Sequence, residues 1–191
     1  QEIKDVVYDN IQLPAVVLAY NLPPKKHPDT YALNMLSTFL TGGNSSLLTK
    51  ELVDNQQKAV GVAAFPLDLE DGGVFLTYAI ANMGITADTV QRALDEQIQK
   101  VIAGGITEAD FQKLKAQTEN DVVSRHGSMA GIAESLAGAK TFFGDADEIN
   151  REMENYNRVT REDIQRVARE YLAPESRVVL HYLPKSEEPK P

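Results

Sequence analysis

A chain of 191 residues with 42% hydrophobic and 25% charged residues is long enough for one domain with a sizeable core. Its net charge of −9 repels a phosphate backbone, and no stretch holds more than two adjacent Lys or Arg, which argues against nucleic-acid binding. The absence of Cys excludes disulfides, thiolate metal sites and cysteine nucleophiles, and no apolar run approaches the ~20 residues of a membrane span.

The opening segment "KDVVYDNIQLPAVVLAYNLPP" predicts two extended stretches, roughly 4–9 and 13–21, with Pro14 suited to the first residue of a strand. The period then changes. Tyr31, Leu33, Leu36, Phe39 and Leu40 share a helical face, Pro28–Asp29 stands where a helix starts, and Gly42–Gly43 end it. A short helix is expected from about Ser45 to Asp54, with Asn44 or Ser45 as its cap. The β-rich runs 58–68 and 72–83, joined across Asp71–Gly72, predict an antiparallel hairpin.

Everything after the hairpin is helical up to the last strand. Val90, Leu94, Ile98 and Val101 mark one helix with Thr86 as N-cap. The next opens on the box Thr107-x-x-Asp110 and runs toward residue 143, with a break expected near 127–131 where glycines accumulate. Helices at about 146–157 and 160–172 follow, the second capped by Thr160-x-x-Asp163, and "SRVVLHYLPK" closes the chain as a strand. Helices in blocks between antiparallel strands imply an α+β domain over residues 1–184, with one mostly antiparallel sheet, helices packed on one face, and a solvated tail at 185–191. Because it begins at Gln1, the chain is expected to be a processed product or a piece of something longer.

Hydrolytic machinery is absent from the pattern. His27, His126 and His181 have no second His one helical turn away, and neither H-E-x-x-H nor H-x-x-E-H occurs. G-x-S-x-G is missing too, and "GGNSSLLTK" lacks the second glycine of a phosphate loop. No residue is assigned a catalytic role and no metal ligand is assigned.

The run "YALNMLSTFLTGGNSSLLTKELVDNQQKAVGVAAF" resembles the non-catalytic half-domain of pitrilysin- and insulysin-type zinc peptidases, which include the mitochondrial processing peptidase. "GGVFLTYAI", "GITEADFQKLKAQ" and "VTREDIQRVAREYLAPESRVVLHYLP" resemble later pieces of the same half-domain in the same order. The resemblance implies a domain without zinc that forms a chamber wall, a peptide-binding surface and contacts to a zinc-bearing catalytic domain or subunit, in a homo- or heterodimer. It also implies zinc in that partner, a peptide substrate and a bacterial periplasmic or envelope setting. Where such domains carry a substrate-binding Arg and Tyr, this chain has Val53 and Val60, with Gln56, Gln57 and Lys58 between them. These five residues are the expected substrate-facing patch. Two other readings stay open: a fully inactive scaffold homologue, like the core subunits of the respiratory cytochrome complex, and an unrelated binding domain of the same layout. Extended peptides adding to a free sheet edge are a further expectation.

Overall fold

The computed structural model describes residues 2–187. Strands β1 (Ile3–Asp9), β2 (Ala15–Leu22), β3 (Ala59–Asp68), β4 (Gly73–Ala81) and β5 (Arg177–Pro184) form one sheet in the order β1-β5-β2-β4-β3. Only β1 and β5 pair in parallel; the other pairings are antiparallel. Around them lie α1 (Thr30–Thr41), α2 (Ala87–Ile102), α3 (Glu108–His126), α4 (Met129–Gly138), α5 (Glu148–Arg158) and α6 (Arg161–Tyr171). Helix α1 packs on β3, α2 crosses β2, β4 and β5, and α6 fits against α1, α2 and β2. Helices α3 and α5 form an outer layer over α1. This is the α+β arrangement that the alternation of blocks predicts.

The helices form where periodicity and caps agree. Val90, Leu94, Ile98 and Val101 of α2 are all buried, each burial contributing about 1.5–3 kcal/mol before ordering costs. Thr86, Thr107, Ser128 and Thr160 each accept a hydrogen bond from the backbone N–H three residues on, which satisfies donors the helix leaves free. Thr160 and Asp163 form the reciprocal box. At Thr107 only half of the expected box forms: the hydroxyl accepts the Asp110 N–H and donates to the Asp110 carboxylate, and the reciprocal bond from the cap N–H is not made.

The break at 127–131 forms where the glycines accumulate. Gly127 ends α3, Ser128 starts α4, and a Cβ at Gly131 would sit 1.9 Å from the Arg125 carbonyl oxygen. The Gly42–Gly43 bend ends α1 as expected: a Cβ at Gly42 would meet the Thr38 carbonyl oxygen at 2.5 Å, and Gly43 has φ of 137°. The next helix starts later than predicted. Its first turn follows Ser46, whose carbonyl accepts the Lys50 N–H at 2.9 Å and whose hydroxyl donates to the Gly43 carbonyl at 2.6 Å. Neither Asn44 nor Ser45 is the cap. Residues Thr49–Asn55 continue as a π-helix around the buried Leu52. At the C-terminal end, Lys185–Glu187 make a 3-10 turn beside β1, so the tail expected from 185 begins inside an ordered element; its remainder lies outside the described residues.

Two ion clusters tie the layers together. Arg177 on β5 is 5% exposed, and its guanidinium reaches Glu2 at 2.7 Å, Asp95 of α2 at 3.0 Å and the Tyr20 hydroxyl at 3.2 Å. Burial pushes the Tyr20 phenol up to about 12, so it stays protonated in that cluster. Asp29, at the start of α1, does not cap its own helix. It accepts from Arg166 at 3.1 Å and from Tyr171 at 2.9 Å on α6, and the guanidinium holds its carboxyl below the usual range.

Candidate docking face and helix-to-strand corner

The five residues expected to face substrate lie together at one corner, where the 49–55 π-helix turns into β3. Leu52 anchors the corner in the core, and its carbonyl accepts the Lys58 N–H at 2.9 Å. Gln57 has φ of 51°, the one non-glycine in the left-handed region among the described residues, a conformation that costs of order 1 kcal/mol or more. Asn82 holds it there: its side-chain amide donates to the Gln57 carbonyl at 2.9 Å, and its backbone N–H donates to the Lys58 carbonyl at 2.9 Å. Sequence reasoning missed Asn82, although the turn Asn82-Met83-Gly84 at the end of β4 was there to be read.

The members of the patch differ in what they present. Val53 is half-buried and packs on the core, whereas Val60 is 50% exposed. Val60 is the extra residue of a β-bulge: Ala59 pairs with Ala81 and Gly61 with Ile80, which leaves Val60 unpaired. The side-chain oxygen of Gln56 is buried without a hydrogen-bond partner, an acceptor aimed at nothing within the described residues. Gln57 is exposed and Lys58 half-buried. The corner therefore offers one exposed amide, one ammonium and one apolar knob.

The larger feature is the sheet face that no helix covers. On it β4 presents Leu76, Tyr78 and Ile80, which lie in register with Ala19, Val17 and Ala15 of β2. The same β2 residues pair on the other side with Val178, Leu180 and Tyr182 of β5, and Ala63, Phe65 and Leu67 extend the face onto β3. Phe65, Leu67, Tyr78, Ile80 and Val178 are all exposed, and none of these twelve positions carries a charge. An antiparallel sheet with one wet face normally alternates apolar with polar; this one is apolar on both sides. At the strand spacing of about 4.8 Å, four strands make an apolar surface roughly 14 Å across. The signal was in the sequence. "AVVLAY" and "GVFLTYAIA" are near-continuous apolar runs, which mark strands buried on both faces, and the expectation of helices on one face did not draw that consequence.

The sheet edges are partly closed to added strands. On β3 the Thr41 hydroxyl accepts the Ala64 N–H at 2.9 Å and donates to the Ala64 carbonyl at 3.1 Å, and Pro66 has no N–H to offer. On β1 the Asp5 carboxylate accepts the Val6 N–H at 2.8 Å.

The histidines stand apart. His181 lies 2.8 Å from the Gln91 amide oxygen, His126 lies 3.5 Å from Glu152, and the His27 ring accepts the Asp29 N–H at 3.3 Å. Among the described residues no three His, Asp or Glu groups are gathered as a metal site, so this donor set does not fit zinc. No helix among the described residues is long and apolar enough to cross a membrane.

A family model described as the peptidase M16 inactive domain matches residues 1–118. The zinc protease PqqE of Helicobacter pylori is 32% identical over 163 residues, covering 85% of this chain and 36% of that protein. The chain thus spans about a third of the length of that curated relative. The crystal structure of a protease from Helicobacter pylori superimposes with a TM-score of 0.90 at 29% identity, over 96% of this chain and 44% of that one. The inactive peptidase domain of a Bordetella parapertussis protein gives a TM-score of 0.80 at 21% identity and is covered over 96% of its length, a likeness of fold.

Proposed function

Since this chain belongs to the peptidase M16 inactive-domain family, we propose that it is the metal-free companion domain of a zinc endopeptidase. It docks on a zinc-bearing domain or subunit through the helix-free face of its sheet, and it presents the corner at Val53–Val60 to the peptide as part of the chamber wall. The observation that carries this reading is the uncharged face of Phe65, Tyr78, Ile80 and Val178, too apolar to be a solvent surface and wide enough to be an interface. The corner adds the exposed Gln57 amide and the Lys58 ammonium, which fit polar groups of a peptide.

A second reading, a scaffold with no part in proteolysis, is favoured by Val53 and Val60, whose side chains donate no hydrogen bond. One experiment separates them. The protein that carries this chain together with its H-x-x-E-H domain, or the two chains mixed, is assayed for cleavage of an unfolded peptide, beside the double variant Tyr78→Asp/Ile80→Asp. The companion reading expects no turnover from this chain alone, turnover from the pair, and loss of association in the variant. An intact, fully active pair carrying both aspartates overturns docking through this face. A stable pair that cleaves nothing with zinc supplied favours the scaffold.

A further inference from the structure

On the helical side of the molecule, away from the apolar sheet face, α1, α3, α4 and α5 line an open pocket of about 700 Å³. That is the size of a small-molecule site, for which about 300–1,000 Å³ is usual. The residues after α4 form a short π-helical turn, Ala139–Phe143, which contributes Phe142 and Phe143 to the lining. Tyr31 of α1 and Tyr156 of α5 contribute two more rings, packed edge to face with centroids 5.0 Å apart. Met35, Val122 and Ile149 add to the apolar part.

The charges in this lining are unbalanced. Asp68, Asp121, Glu134, Glu148 and Glu152 face the space, against Lys25 and Arg125. Arg125 is taken by Glu152 at 2.7 Å, and Glu148 is held by Arg151 at 2.8 Å. Asp68, Asp121 and Glu134 form no ion pair among the described residues. An anion is repelled by such a lining. The protein's own Lys25 shows what suits it, because its ammonium lies 4.2 Å from the centre of the Phe142 ring.

We propose that this cavity binds an organic cation with an apolar body: an alkylammonium or guanidinium whose hydrocarbon part lies on the tyrosine and phenylalanine rings and whose charge faces Asp121 and Glu134. Such a group comes either as a free amine or as a basic side chain next to an apolar one in a peptide. The site does not depend on the docking face, and its test leaves that face untouched.

Amide NMR titrations of the 191-residue chain decide it. The probes are phenethylamine, its neutral isostere phenethyl alcohol, acetyl-Leu-Arg-amide and the neutral acetyl-Leu-citrulline-amide. Saturable shifts at Tyr31, Gly138 and Phe142 are expected from the cations, with about tenfold weaker binding of each neutral counterpart. Tighter binding of the dipeptide assigns the site to peptide side chains, and tighter binding of phenethylamine assigns it to free amines. Ser135→Trp, which fills the cavity, abolishes the shifts. Asp121→Asn/Glu134→Gln, on exposed side chains that leave the fold intact, weakens both cations several-fold and keeps the test open if the tryptophan variant fails to fold. Equal binding of neutral and charged probes, shifts that map elsewhere, indifference to the Asp121/Glu134 pair, or no saturable shift with either cation overturns the proposal.

Discussion

The two faces of the sheet are made by the same strands from similar residues, yet they meet different surroundings. Leu18, Tyr20, Phe75 and Val179 point to the helices and are all but completely buried; Phe65, Tyr78, Ile80 and Val178 point the other way and are more than a third exposed. Polar groups follow the same division. Arg177, Thr77 and His181 are buried on the helical side, whereas β2, β4 and β5 carry no charge on the open side. On the open side the described charges are confined to β1, where Asp5 and Asp9 lie in register with Leu180 and Pro184, and an exposed face otherwise free of ions suits contact with another apolar surface.

The comparison breaks most sharply at Arg177. Replacing it with Met removes its charge-assisted hydrogen bonds to Asp95, Glu2 and the buried Tyr20 hydroxyl together and is expected to cost about 3–5 kcal/mol in urea unfolding of the isolated chain. Leu18→Ala on the covered face follows at about 2–5 kcal/mol, through lost burial and the cavity left behind. Tyr78→Ala, its counterpart on the open face, should cost about 1 kcal/mol or less in the same measurement, while weakening association with the zinc-bearing partner. A Tyr78→Ala variant that unfolds as readily as Leu18→Ala would mean that the open face stabilises the domain by itself.

His181 sharpens the contrast through pH. It lies on the covered side, where burial lowers its pKa below 6.5. The unfolded chain therefore binds the proton first, and stability is full above about 6.5 and falls as pH drops from there toward the lowered folded value. His181→Gln, measured across that window, should remove this part of the slope. Thr160→Ala is the control for this comparison: it deletes the α6 cap for about 1 kcal/mol in urea unfolding and leaves both faces of the sheet as they are.

Much of this molecule was legible in one dimension. The strand runs, the α1 and α2 faces, the Thr86 and Thr160 caps and the break at 127–131 follow from local rules, because each depends on neighbours within a few residues. The corner at Val53–Val60 was legible as a position, through the order of the pieces around it. Its chemistry was not: the left-handed Gln57, the bulge at Val60 and the clasp by Asn82 depend on β4, more than twenty residues away. The Ser46 start was missed because three small polar residues in a row offer equivalent caps, and only the Gly43 turn selects among them.

By itself the sequence determined an α+β layout, since periodicity and caps fix the elements, and the order of its motifs carried the resemblance to a peptidase half-domain. Only the tertiary structure decided which apolar strand residues are core and which are surface. Alternation along a strand divides residues between two faces, but the helices choose the face they cover, and that choice rests on pairings between strands as distant as β1 and β5.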